Sequence, residues 1–244
     1  AGTAMRWGFK PKPMPDLMKH HQRVAVDYAL NKGRAALFLE TGLGKSLCEL
    51  EFARQCADET GKPSLILTPL AVAAQMVREG QKFNIDARQI REQSEVGSGV
   101  MVANYERLQK LDPSCFGAIV LDESSILKSF AGQTRTRLTE AFCDTEYRLA
   151  ATATPSPNDH TELGNHAEFM GVMRQQEMLS KWLQAGADAQ HCLAILAAMT
   201  LAISCQRLTA VFTWYGVIYR LILMKGCCLL SLKCRQRHFT KRSE

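Results

Sequence analysis

One stretch, Leu37-Phe38-Leu39-Glu40-Thr41-Gly42-Leu43-Gly44-Lys45-Ser46, constrains this 244-residue chain more than any other. The apolar run Ala35 to Leu39 predicts a short buried strand. Thr41-Gly42-Leu43-Gly44 then predicts a tight turn, because glycine takes positive φ without a steric cost. From Lys45-Ser46 onward, Leu47, Leu50, Glu51 and Arg54 fall into a helical pattern. Strand, glycine turn and helix together make the layout of a phosphate-binding loop. Backbone N–H groups of Thr41 to Ser46 would surround phosphate oxygens, and the helix N-terminus would add partial positive charge. Lys45 is expected at the β- and γ-phosphates and the Ser46 hydroxyl at magnesium. The signature departs from its full form at Leu39, where a further glycine is usual. The competing reading is a glycine turn that merely joins a strand to a helix.

The rest of the chain supplies a frame for that loop. Residues 1–16 are rich in Pro and Lys and predict an extended arm. Leu17 to Lys32 predicts a helix, with Val24, Ala25, Tyr28 and Ala29 as its apolar face. After the helix at 45–59, apolar runs at Ser64–Thr68, Val100–Ala103, Ala118–Leu121 and Tyr147–Ala151 predict strands. Helical patterns at 71–83 and 134–142, and a short one beginning at 104, fall between them. The strands are continuous apolar runs and alternate with helices. That pattern fits a parallel α/β sheet covered on both faces. Ligands of such sheets sit at the carboxyl ends of the strands. The loop at 41–46, Asp122-Glu123 and Thr152-Ala153-Thr154 all fall there, which suggests one site.

Each motif has a functional and a plain reading. Asp122 at a strand end can hold magnesium through water, and Glu123 beside it can polarise an attacking water. A pair of acids before Ser124 can equally cap a helix. Thr152 and Thr154 can sense the γ-phosphate, or can be ordinary threonines before Pro155. Gln22 lies upstream of the loop, and its amide both donates and accepts, as reading adenine requires. Most helical glutamines are simply solvated. His20 and His21 receive no role.

The order of these motifs resembles the first RecA-like lobe of superfamily-two helicases, and among them the Swi/Snf-type, DEAD-like translocases in their shorter phage and prophage form. His21-Gln22 is similar to the glutamine motif, and Gly42-Leu43-Gly44-Lys45-Ser46 to Gly-Leu-Gly-Lys-Thr. Leu65 to Leu70 resembles motif Ia, and Asn104-Tyr105-Glu106 resembles Thr-Tyr-Glu. Asp122-Glu123-Ser124-Ser125 stands where the family has Asp-Glu-Gly/Ala-His. Thr152-Ala153-Thr154-Pro155, with Asn158 beyond it, resembles Thr-Gly-Thr-Pro followed by Asn. The likeness spans about 17–175. It implies a RecA-like P-loop three-layer sandwich with a mostly parallel central sheet. It implies ATP and Mg2+ as cofactors, with Lys45, Asp122 and Glu123 as the catalytic set. It places nucleic-acid phosphates, most naturally of duplex DNA, at Thr68, Pro69, Asn104, Tyr105 and Lys128. Ser125 replaces the histidine that would link the nucleotide site to the Thr152–Thr154 segment. A serine hydroxyl substitutes for it only in part. The second RecA-like lobe, which supplies arginines across a cleft, lies outside the recognisable part. Without an arginine finger, turnover falls by roughly three to five orders of magnitude. The chain is therefore expected to bind ATP and hydrolyse it slowly.

Charge separates off the remainder. The formal net charge is +6, yet residues 1–188 carry 22 basic and 23 acidic side chains, and residues 189–244 carry eight and one. The main part is near neutral, so bulk charge makes no argument for nucleic acid. From about Ser180 the chain turns apolar and basic, with Cys192, Cys205, Cys227, Cys228 and Cys234 crowded together. This stretch resembles no helicase element. We read 180–244 as an accidental extension, such as a shifted frame after a truncated gene. Its removal is expected to leave a soluble, nucleotide-binding lobe at 17–179. Arg207 and Arg220 interrupt its apolar runs, against a membrane span. Nine cysteines without a C-x-x-C pair argue against zinc. The start of the chain has no secretory pattern, so reduced thiols and a cytoplasmic location are expected.

Two other functions fit the loop. A phage packaging-type ATPase would add a nuclease with clustered Asp downstream, and 189–243 hold none. A non-catalytic remnant would bind ATP or DNA without turnover.

Overall fold

In the computed structural model, residues 8–128, 138–153, 163–172, 174–177 and 200–203 are described. The apolar runs become strands because both of their faces are covered. Strands β1 (Arg34–Leu39), β2 (Ser64–Thr68), β4 (Val100–Asn104), β5 (Ala118–Asp122) and β6 (Tyr147–Thr152) all match expected runs. Every residue of β2, β4, β5 and β6 is buried. Alternation sends successive side chains to opposite faces. Leu37, Leu39, Ile66 and Val120 pack on one side with helices α1 (His20–Lys32), α2 (Lys45–Thr60) and α3 (Ala73–Lys82). Phe38, Leu65, Leu67, Ile119 and Leu121 pack on the other with Tyr105, Phe116, Phe142 and Phe169. The result is a three-layer RecA-like α/β fold.

Among the described residues, these strands with β3 (Ala87–Gln89) and β7 (Thr200–Ile203) form one seven-stranded sheet in the order β3-β4-β2-β5-β6-β1-β7, and every pairing is parallel. Two strands escape the sequence reading. β3 is a three-residue edge strand whose last two side chains are exposed, so it has no apolar run to mark it. β7 pairs with β1 at the other edge. It lies in the stretch that composition set apart, and it covers the edge of the strand that leads into the glycine loop.

The helices differ from expectation in detail. On α1 the buried residues are Gln22, Ala25, Val26, Ala29 and Leu30, while Val24 is 43% exposed, so the apolar face is rotated from the expected one. The segment after β4 is a 3-10 helix, Tyr105–Lys110. Residues 138–141 are helical, and 134–137 lie outside the described residues. A short helix, Leu163–Phe169, follows β6. Within the arm, residues 8–15 have no regular secondary structure and are tied down. The Lys12 backbone N–H donates to Gln55 Oε1 at 2.7 Å, and Gln55 Nε2 returns a bond to the Lys12 carbonyl at 3.1 Å. Among the described residues no helix is long and apolar enough to cross a membrane, and Cys48, Cys56, Cys115 and Cys143 are free thiols.

Candidate nucleotide site

The sheet order places β2, β5, β6 and β1 side by side, so their carboxyl ends share one rim. After β1 the chain turns through Gly42 (φ 87°) and Gly44 (φ 77°), and Gly44 is the N-cap of α2. The Gly44 backbone is left-handed, which favours glycine, and a Cβ there would displace the Gln22 side-chain amide. That amide donates to the Leu43 carbonyl at 3.0 Å, and its oxygen accepts from the Lys19 backbone N–H at 2.8 Å. His21 Nε2 lies 3.1 Å from the same Leu43 carbonyl. The start of α1 therefore braces the loop from behind, and His21, given no role from sequence, is part of that brace. Leu43 itself is buried, while Thr41, Gly42 and Gly44 are open to solvent and Lys45 and Ser46 are half-buried.

Across from the loop, β5 ends at Asp122 and the chain turns sharply at Glu123. Glu123 adopts φ 53°, a left-handed conformation that is unusual for a residue with a side chain. Lys45 Nζ stands 3.2 Å from Asp122 Oδ1 and 3.3 Å from Glu123 Oε2. The other Glu123 oxygen, Oε1, accepts from Ser125 Oγ at 2.7 Å and from Thr152 Oγ1 at 2.8 Å. Ser125 and Thr152 thus meet on one carboxylate oxygen. Thr154 and Asn158 lie outside the described residues.

The charges explain one another. Burial alone would lower the Lys45 pKa, but Glu49, Asp122 and Glu123 more than offset it and hold the ammonium above its ordinary range. Burial pushes Glu123 upward. The Ser125 hydroxyl, the Lys45 charge and the Thr152 hydroxyl outweigh that and bring it below its usual range, so it is ionised.

The sequence reading missed Glu49. It lies four residues after Lys45 on α2, hence on the same helix face. Its carboxyl is fully buried and neither oxygen has a hydrogen-bond partner in the structure. Burial first, then the charge of Asp122, push its pKa well up. A fully buried carboxyl beside a second acid favours its protonated form.

Comparison with known proteins places this geometry. The SWI2/SNF2 ATPase core of Sulfolobus solfataricus, solved in complex with double-stranded DNA, superposes with a TM-score of 0.67 at 19% identity, over 82% of this chain and 47% of that one. The chain shares the fold of that core. The UvsW helicase of bacteriophage T4 has the same fold, at a TM-score of 0.54 and 18% identity, over 64% of this chain and 58% of its own. Protein p41 of Acyrthosiphon pisum secondary endosymbiont phage 1 is 30% identical over 189 residues. This chain covers 39% of that phage relative's length. No protein-family model matches the chain.

Several side chains of the expected nucleic-acid set face inward. Thr68 is fully buried, and its hydroxyl donates to Asp122 Oδ2 at 2.8 Å. Tyr105 is also buried, and its hydroxyl donates to the Asp122 carbonyl at 2.7 Å. Both side chains are turned inward to hold the acid, because β2 and the start of the 3-10 helix flank β5. Asn104 is buried too, Pro69 is half-buried, and the Lys128 side chain lies outside the described residues.

The donors present fit a hard divalent cation. Ser46 and Asp122 offer oxygen, the donor type that magnesium takes. Among the described residues no three His, Cys, Asp or Glu side chains converge to hold a metal unaided. Phosphate and water would have to complete its shell, as magnesium prefers.

Proposed function

We propose that this chain is the ATP-binding lobe of a DNA-dependent ATPase of the Swi/Snf type, with 17–179 as the first RecA-like lobe. The observation that carries it is the Lys45 ammonium set between Asp122 and Glu123 directly beyond the glycine turn. A loop that merely joined a strand to a helix would have no need of an invading cation, two acids and a strained turn.

In this reading a triphosphate would draw Lys45 away from the acids toward the β- and γ-phosphates. The amides of Thr41 to Ser46 would close around the phosphate oxygens. Ser46 and Asp122 would hold Mg2+, which neutralises phosphate charge when bound. Glu123, ionised and released from Lys45, would accept hydrogen from the attacking water. Thr152 and Ser125, both bonded to Glu123, would register its movement. Gln22 already bonds the loop, and the second hydrogen of its amide is the one available to adenine. A second lobe in the whole protein would supply arginine, so turnover by this chain alone is slow. Duplex DNA is the proposed partner of the rim.

ATP titration of the wild-type chain and of Lys45→Ala, with phosphate release measured with and without duplex DNA, tests this. Binding lost in the variant and release stimulated by DNA are expected. Equal ATP affinity in the two proteins would overturn the site. Binding without any DNA stimulation would leave a nucleotide-binding remnant.

A further inference from the structure

Glu123 sits in a turn that needs outside support. A left-handed residue with a side chain is sterically costly and persists where its surroundings over-determine it. Its carboxylate is held by Lys45, Ser125 and Thr152. Its backbone is held through its two neighbours. On one side the Asp122 carbonyl is fixed by Tyr105. On the other, Ser124 Oγ lies 3.0 Å from His166 Nε2. Both of these side chains are buried, at 0% and 2% exposure.

His166 comes from the short helix Leu163–Phe169, forty-two residues from Ser124 in sequence. Its ring meets Phe38 edge to face, with centroids 5.5 Å apart and planes at 80°. Phe38 belongs to β1, three residues before the loop begins at Thr41. The imidazole thus fills the space between the strand that carries the phosphate loop and the turn that carries Glu123. A displacement of either presses on the same ring.

We propose that His166 is a positioning residue for Glu123, acting through Ser124, and that it senses whether the phosphate loop is filled. This rests on the nucleotide reading of the site. A histidine that only fills the core would share the burial and the ring contact. It would have no reason to respond to nucleotide through the Ser124 hydroxyl.

The test uses the whole chain with 15N-labelled histidine. The His166 ring signal is identified by its loss in His166→Gln. Wild type and Ser124→Ala are then titrated with ATP plus Mg2+, and affinity is followed separately by fluorescence. We expect the His166 signal to move in wild type as nucleotide saturates. The movement should be lost in Ser124→Ala, with ATP affinity held within about threefold, a fraction of the 1.4 kcal/mol that marks a tenfold change. Saturating nucleotide with an unmoved His166 signal in wild type would overturn the proposal alone, and that measurement needs no variant beyond the assignment. An undiminished movement in Ser124→Ala would overturn the route through Ser124. Absence of ATP binding to wild type would be seen in the fluorescence titration. It would remove the nucleotide reading and this proposal together.

Discussion

The two ends of the sheet handle polar groups in opposite ways. At the carboxyl ends, side chains from β2, β5, β6 and the loop after β1 bond to one another across four neighbouring strands. At the amino ends there is a cavity of about 630 Å3, lined by Lys62, Asp112, Ser114, Asp144 and Glu146 among others. There the arginines bond to the backbone. Arg34 donates to the Glu146 and Thr145 carbonyls, and Arg148 to those of Thr145, Cys143 and Phe169. Asp112 bonds locally to Ser114. Open space is therefore a poor guide in this molecule. What distinguishes the carboxyl rim is mutual dependence among charges, together with a left-handed Glu123 and an orphaned Glu49.

If that contrast is right, the amino end should matter for stability and the carboxyl end for ligand. The largest stability effect is expected at Arg148. Burial, then the neighbouring Arg34, lower its pKa to about 10, and its guanidinium serves three backbone carbonyls. Arg148→Met strands those carbonyls and should cost about 3 kcal/mol in urea unfolding, with ATP affinity unchanged. A large loss of affinity in a variant that remains folded would break the comparison. Next in size is Lys45→Ala, which removes charge-assisted bonds worth about 1.5–3 kcal/mol. ATP affinity should fall about 10- to 100-fold, whereas Lys62→Ala at the amino end should leave it unaltered.

Much of this contrast was legible in the sequence, and what was not has a physical cause. Buried parallel strands announce themselves as apolar runs, so β1, β2, β4, β5 and β6 could be placed. That the loop and Asp122-Glu123 would meet was legible because both follow buried strands and so fall at strand carboxyl ends. β3 and β7 were not, since a short edge strand has little apolar signal and a four-residue apolar run has no period of its own. Glu49 could have been found, because four residues from Lys45 on a helix means the same face. His166 could not, as nothing local ties it to Ser124. Thr68 and Tyr105 were expected at nucleic-acid phosphates by resemblance alone, which says nothing of the bonds their hydroxyls donate to Asp122.

Glu49 sharpens the comparison through pH. Its folded pKa is raised from an ordinary 4.5, so the folded chain binds more protons than the unfolded one above that pH. Wild-type stability from this group is full below pH 4.5 and is lost as pH rises toward the folded pKa. Glu49→Gln removes that dependence. In urea unfolding without divalent cations, the variant should gain on wild type steadily as pH increases from 4.5. A constant difference across the range would mean that Glu49 carries no such shift.

The smallest expected effect separates holding the acid from touching nucleic acid. Tyr105→Phe keeps the ring in the core and deletes one hydroxyl, leaving the Asp122 carbonyl without that donor. A net hydrogen bond of this kind is worth about 1 kcal/mol, so the unfolding midpoint should shift modestly. Affinity for duplex DNA, read by fluorescence anisotropy, should not change, because the hydroxyl faces β5 and is buried. The opposite pattern, weakened DNA binding at unchanged stability, would return Tyr105 to the nucleic-acid surface. It would also weaken the claim that the carboxyl rim is organised around the acid. A parallel Thr68→Val variant makes the test independent of the ring, since that hydroxyl reaches Asp122 from β2 on the neighbouring strand.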